Sequence, residues 1–390
     1  MPRSVLTGLS LAGLCATFVG NGIGRFAYIA LMPALIQAGW FSKSDASYLG
    51  AATLVGYLLG APMSGMLLRH YRVGSVLRGA MLACSLSYLA CALLGAAMPW
   101  YYFWRAMAGF GGAILMVLAA PAVLPQHSPA VRGRVSGVVF SGIGLGAAAS
   151  GLLIPLLVPW GIASAWLGMG SICLVLTLLT WRQWAPDAPL HPADAQAQPL
   201  PAERRVAVGL LLAAYTLDAV GYLPHTLFWV DYTVRELQMP LATGGFLWAL
   251  FGVGAAIGPL LAGKLGDVFG FKRCLIACFL LKSLGVALPL FGSDVLTLCA
   301  SSILVGMLTP GIVMLVSTCT LDCVGARQHR RVWGAMTFSF AAAQAAGGYL
   351  MAFVAANGQS YRPLFLVSAC ALLCSVPCIA CIRVQPAAKA

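Results

Sequence analysis

Gly56-Tyr-Leu-Leu-Gly60-Ala-Pro-Met-Ser-Gly65 is answered 198 residues later by Gly254-Ala-Ala-Ile-Gly258-Pro-Leu-Leu-Ala-Gly263. A shift of 197 lays Asn21-Gly22-Ile23-Gly24 on Asp218-Ala219-Val220-Gly221. A chain of 390 residues that matches itself at about half its length reads as a duplication. Each copy is too apolar for water. Hydrophobic residues make up 61% and charged residues only 8%, with a mean hydropathy of +0.90, where soluble domains carry roughly 25% charge. A duplicated, helix-rich membrane chain is the layout of a carrier whose site lies near the midplane, between the repeats.

The apolar runs are long enough to cross a hydrocarbon core of about 30 Å. The first, from near Val5 past Leu35, is too long for a cleaved leader and is read as a membrane helix. Twelve spans are predicted, at 5–38, 45–68, 74–97, 100–124, 133–158 and 161–181, then 206–234, 241–263, 272–291, 295–321, 331–356 and 362–382. Trp184 to Arg205, rich in Pro, Ala and Asp, is the one long polar stretch. The expected organisation is therefore a bundle of six helices over 1–183, a linker over 184–205 and a second six-helix bundle over 206–390.

The net charge of +13 could suggest nucleic acid, but the positives sit in short connections between apolar runs. Counting Lys and Arg by side puts 17 with the termini and linker and 3 (Lys43, Arg235, Arg362) opposite. By the positive-inside rule both termini face the cytoplasm. The thirteen cysteines show no metal spacing and most lie in apolar runs, where the thiol is a small filler. No cofactor or metal is expected. The chain has no HExxH, no GxSxG and no Walker loop, which argues against a membrane enzyme and against ATP as the direct energy source. A receptor would normally carry a soluble output domain, and the longest polar stretch is the linker.

The three remaining cations, Arg25, Arg105 and Lys282, fall inside spans. A charge at the bilayer centre costs about 2.5–3.5 kcal/mol on insertion scales, so such residues usually face a cavity. The duplication sets Tyr222 opposite Arg25, Asp218 opposite Asn21 and His225 opposite Tyr28. In a regular helix, 21, 25 and 28 share a face, as do 218, 222 and 225. Two polar stripes facing each other across a midplane site are expected. Asn21, Arg25, Tyr28, Arg105, Tyr222, His225 and Lys282 are the candidate substrate-binding residues. Asp218, read as the one clearly intramembrane carboxylate, and His225 are the candidates for proton coupling. The alternative reading of Asp218 is a buried ion pair with Arg105 or Lys282. An excess of cations favours an anionic substrate, because Arg clamps a carboxylate or phosphate with paired hydrogen bonds.

Three segments carry a resemblance. Gly263-Lys264-Leu265-Gly266-Asp267-Val268-Phe269-Gly270-Phe271-Lys272-Arg273 resembles the G-x-x-x-D-x-x-G-x-K/R-R/K loop of the major facilitator superfamily. The equivalent first-half stretch, Gly65 to Arg72, departs from it: Arg69 stands where Asp is expected. Arg105-Ala106-Met107-Ala108-Gly109-Phe110-Gly111-Gly112-Ala113 resembles the superfamily's R-x-x-x-G-x-G-x-A. Gly22-Ile23-Gly24-Arg25-Phe26-Ala27-Tyr28, with Leu31-Met32-Pro33, is similar to the first span of its bacterial YbfB/YjiJ-like subfamily. The resemblance implies the twelve-helix fold, a bacterial inner membrane location, a monomer and alternating access. It also implies a cavity-facing Arg105 and a gating latch of Gly263, Asp267, Gly270, Lys272 and Arg273, with Gly263 permitting close helix packing. The fifth span lacks the Gly-Pro element of the superfamily's drug/proton antiporters. The leading expectation is a proton-coupled secondary transporter of a small organic anion. Efflux of amphipathic compounds is the alternative, and a non-transporting receptor is the alternative of another class.

Overall fold

The computed structural model describes residues 5–128, 131–184, 201–358 and 360–382. Among them there is no β-strand. Twelve helices are long and apolar enough to cross a membrane. They are α1 (Gly8–Gln37), α2 (Lys43–Leu67), α3 (Val73–Cys91), α4 (Met98–Gln126), α5 (Gly133–Trp160), α6 (Ile162–Leu179), α7 (Ala202–Glu236), α8 (Leu241–Gly266), α9 (Phe271–Phe291), α10 (Val295–Gly325), α11 (Arg331–Asn357) and α12 (Arg362–Ala380). Odd helices start at the face where α1 begins, the terminal face. Even helices start at the opposite face. Most of the expected linker, 185–200, lies outside the described residues, as do Arg3, Arg383 and Lys389.

Local chemistry sets several ends. The Thr7 hydroxyl accepts from the Ser10 amide and Ser10 returns the bond, closing a capping box on α1. The Ser42 hydroxyl accepts from Asp45 N–H to start α2, and Asp294 accepts from Thr297 to start α10. Asp294 is exposed outside the span, and its bonds from Thr297 hold its carboxyl below the usual range. Gly270 (φ 86°) turns α8 into α9, and Gly325 (φ 72°) breaks the otherwise continuous run from α10 to α11. A side chain at either would be strained.

Packing repeats with a step of six helices. The contacts α2–α4, α3–α4, α3–α6 and α1–α5 recur as α8–α10, α9–α10, α9–α12 and α7–α11. The repeated glycines show why. A Cβ on Gly109 would land on the Thr53 carbonyl, and one on Gly306 on the Phe251 carbonyl, 197 and 198 residues on. Gly56 lies the same way on Ala106, and Gly254 on Ile303. Small residues let these backbones touch, which is how membrane helices gain packing without a hydrophobic drive. Not every repeated glycine has this role. Gly65 faces open space, and beside Gly263 a Cβ would meet only the flexible Met314 tip at 3.4 Å. The close-packing expectation for Gly263 is thereby corrected.

The two sets of six meet along three seams. Gly144 and Gly151 of α5 lie against Gly252, Ala256, Gly245 and Ala249 of α8. The Trp248 indole N–H donates to Ser150 Oγ across that seam (3.2 Å). Tyr48 and Leu54 of α2 pack on Tyr349 and Gly348 of α11. The third seam joins α1 to α7.

Candidate functional site

The matched helices α1 and α7 are both irregular. In α1 a π-helical turn over Phe18–Ile23 runs into a break at 24–26, before helix resumes at Ala27. In α7 the helix ends at Gly221, Tyr222 forms the break, and a π-helical turn follows over Pro224–Phe228. Arg25 and Tyr222, paired by the duplication, both sit on the break. Wide turns of this kind rotate every later side chain. The single polar stripes expected for regular helices are therefore absent, and the residues of each stripe go to different neighbours.

In α1, the Asn21 amide donates to the Gly112 carbonyl of α4 (3.0 Å). The Tyr28 hydroxyl donates to the Ala46 carbonyl of α2 (2.8 Å). Arg25, half-buried, crosses to the other six helices and donates through Nη2 to Gln344 Oε1 of α11 (2.8 Å). Its guanidinium also lies over the rings of Phe26 and Tyr57, 5.1 and 5.0 Å from their centroids. Gln344 Nε2 in turn donates to the Tyr222 hydroxyl (2.6 Å). The Lys282 ammonium sits 4.3 Å from the centre of the Tyr222 ring and donates to Asp218 Oδ1 at 2.7 Å. Both members of that ion pair are fully buried. Arg25, Gln344, Tyr222, Lys282 and Asp218 thus form one continuous polar chain from α1 through α11 and α7 to α9.

Arg105 is a separate, N-terminal element. It is 1% exposed, donates to Thr53 Oγ1 (2.9 Å) and the Gly24 carbonyl (3.3 Å), and lies over the rings of Tyr28 and Tyr88. The carbonyl it reaches belongs to the α1 break. Of the two partners open to Asp218, the fold chooses Lys282. Asp218 Oδ2 is buried and has no hydrogen-bond partner among the described residues. His225 stands apart from the chain: Nε2 bonds Ser301 Oγ (2.9 Å), the ring stacks on Trp229, and Nδ1 is likewise unpartnered.

Asp218 is joined by a second buried carboxylate on α7. Asp231 is fully buried within α7, contacted by Arg235 (3.4 Å) and by the Tyr361 hydroxyl. It lies near the opposite face, where α7 continues through a further π-helical turn to Glu236. There Glu236 accepts from Ser360 Oγ and the Tyr361 amide (2.6 and 2.7 Å). Lys43 of α2 reaches over the Tyr361 ring to the Gly358 carbonyl (2.9 Å). This cluster closes the seam at the opposite face.

The expected latch is only partly described. The Asp267 side chain lies outside the described residues. Lys272 is bound to the carbonyls of Ala380 and Ile382 at the end of α12, at 3.0 and 2.5 Å. Arg273 stays exposed. Gly270 makes the turn, and Gly263 is loosely surrounded. Sequence reasoning missed Gln344 and Thr53. The first left a readable signal, an amide set in the alanine run Ala341 to Ala346; a threonine in a span leaves none.

The profile of a family described as "Uncharacterised MFS-type transporter YbfB" matches residues 17–379. No curated protein matches the chain in sequence. A crystal structure of the nucleoside transporter NupG superposes with a TM-score of 0.76 at 11% identity, covering 96% of this chain and 100% of that one. At that identity the likeness shows the fold alone.

Proposed function

Because the chain belongs to the YbfB-type family of major facilitator superfamily transporters and is a multi-pass membrane protein, we propose that it moves a small organic anion by alternating access, driven by protons. The observation that carries this reading is the polar chain from Arg25 to Asp218. It joins the two repeats at their matched breaks, and it sets two cations against one carboxylate in a buried place. The moving units are residues 1–183 and 206–390, joined by 184–205. An arriving anion takes the Arg25 guanidinium from Gln344 and draws on Lys282. Weakening the pull of Lys282 frees Asp218 to take up a proton. Efflux of amphipathic compounds is the second reading; nothing in the site favours it over uptake of an anion. NupG is a nucleoside transporter, and an uncharged nucleoside would leave the excess cations of this site uncompensated.

Proteoliposome uptake of a labelled panel of mono- and dicarboxylates, a phosphate ester and a nucleoside, with and without a pH gradient, tests the class. At least one anion should accumulate only with the gradient. Arg25→Lys should then weaken its uptake about tenfold or more, because Lys keeps the charge but lacks the planar fork. Uptake of the nucleoside alone would overturn the anion reading. The 17-to-3 cation count supports cytoplasmic termini in a bacterial inner membrane, and a reporter fused after Ala390 reads that directly.

The cluster at the opposite face serves as the outer gate in this reading, with Lys43 its only cation from the first repeat among the described residues. Lys43→Ala removes a charge-assisted bond that is partly exposed, a loss of about 1 kcal/mol or a fivefold shift. Hydrogen exchange should quicken in peptides covering 43–48 and 358–362. Exchange as slow as in the unaltered protein would remove Lys43 from the gate.

A further inference from the structure

Between α8 and α9, on the outer surface of the second six helices, lies a cleft of about 390 Å³. Its volume is in the range of small-molecule sites, roughly 300–1,000 Å³. Its inner end, at Cys278 and Leu281, adjoins Lys282 of the polar chain along α9, and its mouth lies at the terminal face. Leu261, Leu265 and Phe269 line one wall, Leu281 closes the inner end of the other, and Met307 of α10 forms the floor. The four wall residues are exposed. In a membrane-spanning helix pair that exposure is to acyl chains.

One charged side chain lines the cleft: Arg273, at the terminal-face end of α9. Its neighbour Lys272 is held by the carbonyls ending α12. Arg273 makes no hydrogen bond or ion pair among the described residues. From Arg273 to Leu281 is eight residues, about 12 Å of helix. A single leaflet contributes about half of a 30 Å hydrocarbon core. The cleft is therefore one leaflet deep, apolar along its length and cationic at the level of the headgroups.

We propose that this cleft is a binding site for one anionic phospholipid, with an acyl chain between α8 and α9 and the phosphate on Arg273. The charge at the mouth selects the headgroup, and the wall residues select a chain over a free anion. This assignment needs only the membrane-spanning fold and is independent of the transported substrate.

The test uses the full-length protein in nanodiscs of phosphatidylethanolamine with phosphatidylglycerol, released into the gas phase for native mass spectrometry. One phosphatidylglycerol should be retained in preference to phosphatidylethanolamine. Arg273→Gln should reduce that preference about fivefold, the scale of one basic residue at a lipid surface. Arg69→Gln, a cation at the same face in the other repeat, should leave it unchanged. Ala277 lines the cleft between Arg273 and Leu281, and Ala277→Trp should fill it and remove retention of both lipids. Thermal unfolding verifies that each variant is folded. If Ala277→Trp is not, a photoreactive acyl chain bound to the unaltered protein should label the peptides carrying Leu265 and Leu281. Equal retention in Arg273→Gln would overturn the proposal, as would displacement of the lipid by millimolar inorganic phosphate. So would a dimer of the unaltered protein that Ala277→Trp dissolves, since the cleft would then be a protein interface.

Discussion

Replacing Asp218 with Asn is expected to remove most of the folded protein. Lys282 and Asp218 are both fully buried, 2.7 Å apart. Losing one partner strands the other, at a cost of about 3–5 kcal/mol. Roughly three-fifths or more of a marginal stability of about 5 kcal/mol is then gone. Asp218→Asn combined with Lys282→Met strands no charge and should return monodisperse protein to near the unaltered yield. The double variant then isolates the proton. If Asp218 couples transport, the double variant should fail to accumulate substrate against a gradient in proteoliposomes, because no carboxylate remains on the polar chain. Downhill exchange should persist to the extent that Arg25 alone can hold the substrate. Gradient-driven accumulation by the folded double variant would defeat the coupling role. His225, with its unpartnered Nδ1, would be the next residue to test.

Gly109→Val should be as severe, by a different physical route. A Cβ at 109 falls on the Thr53 carbonyl, and backbone cannot rotate away as a side chain can. The α2–α4 contact must open. Overpacking usually costs about 1–3 kcal/mol, and a clash with backbone belongs at or above the top of that range. Gly306→Val should repeat the effect in α10 against Phe251. A Cβ at Gly65 meets no atom within 4 Å, so Gly65→Val should be much the mildest of the three. Fluorescence-detected size exclusion and thermal unfolding of the three variants give the comparison. A Gly109→Val protein as stable as Gly65→Val would show that the helix contact is not tight.

The two predictions differ in what a reader of the sequence could foresee. Gly109 and Gly306 are visible as partners because the duplication repeats them. Their close contact follows from the need of membrane helices for small residues. The ion pair was visible only as a choice between Arg105 and Lys282, because the two partners lie 64 residues apart and on different helices.

Twelve spans, the repeat, the excess of buried cations and the family resemblance were all determined by the sequence. Each rests on local quantities: apolar length, glycine spacing and charge placement read along one helix at a time. The tertiary structure alone decided where the polar groups go. The π-helical turn over Phe18–Ile23 and the break at 24–26 turn Asn21, Arg25 and Tyr28 to three different helices, although ideal helical spacing places them on one face. Arg25 finds Gln344, 319 residues on, and Gln344 carries the contact to Tyr222. Asp231 is fully buried near the opposite-face end of α7, where the Tyr361 hydroxyl and Arg235 reach it. Such pairings depend on how helices far apart in the sequence dock, and a buried polar group takes whichever partner docking brings within reach.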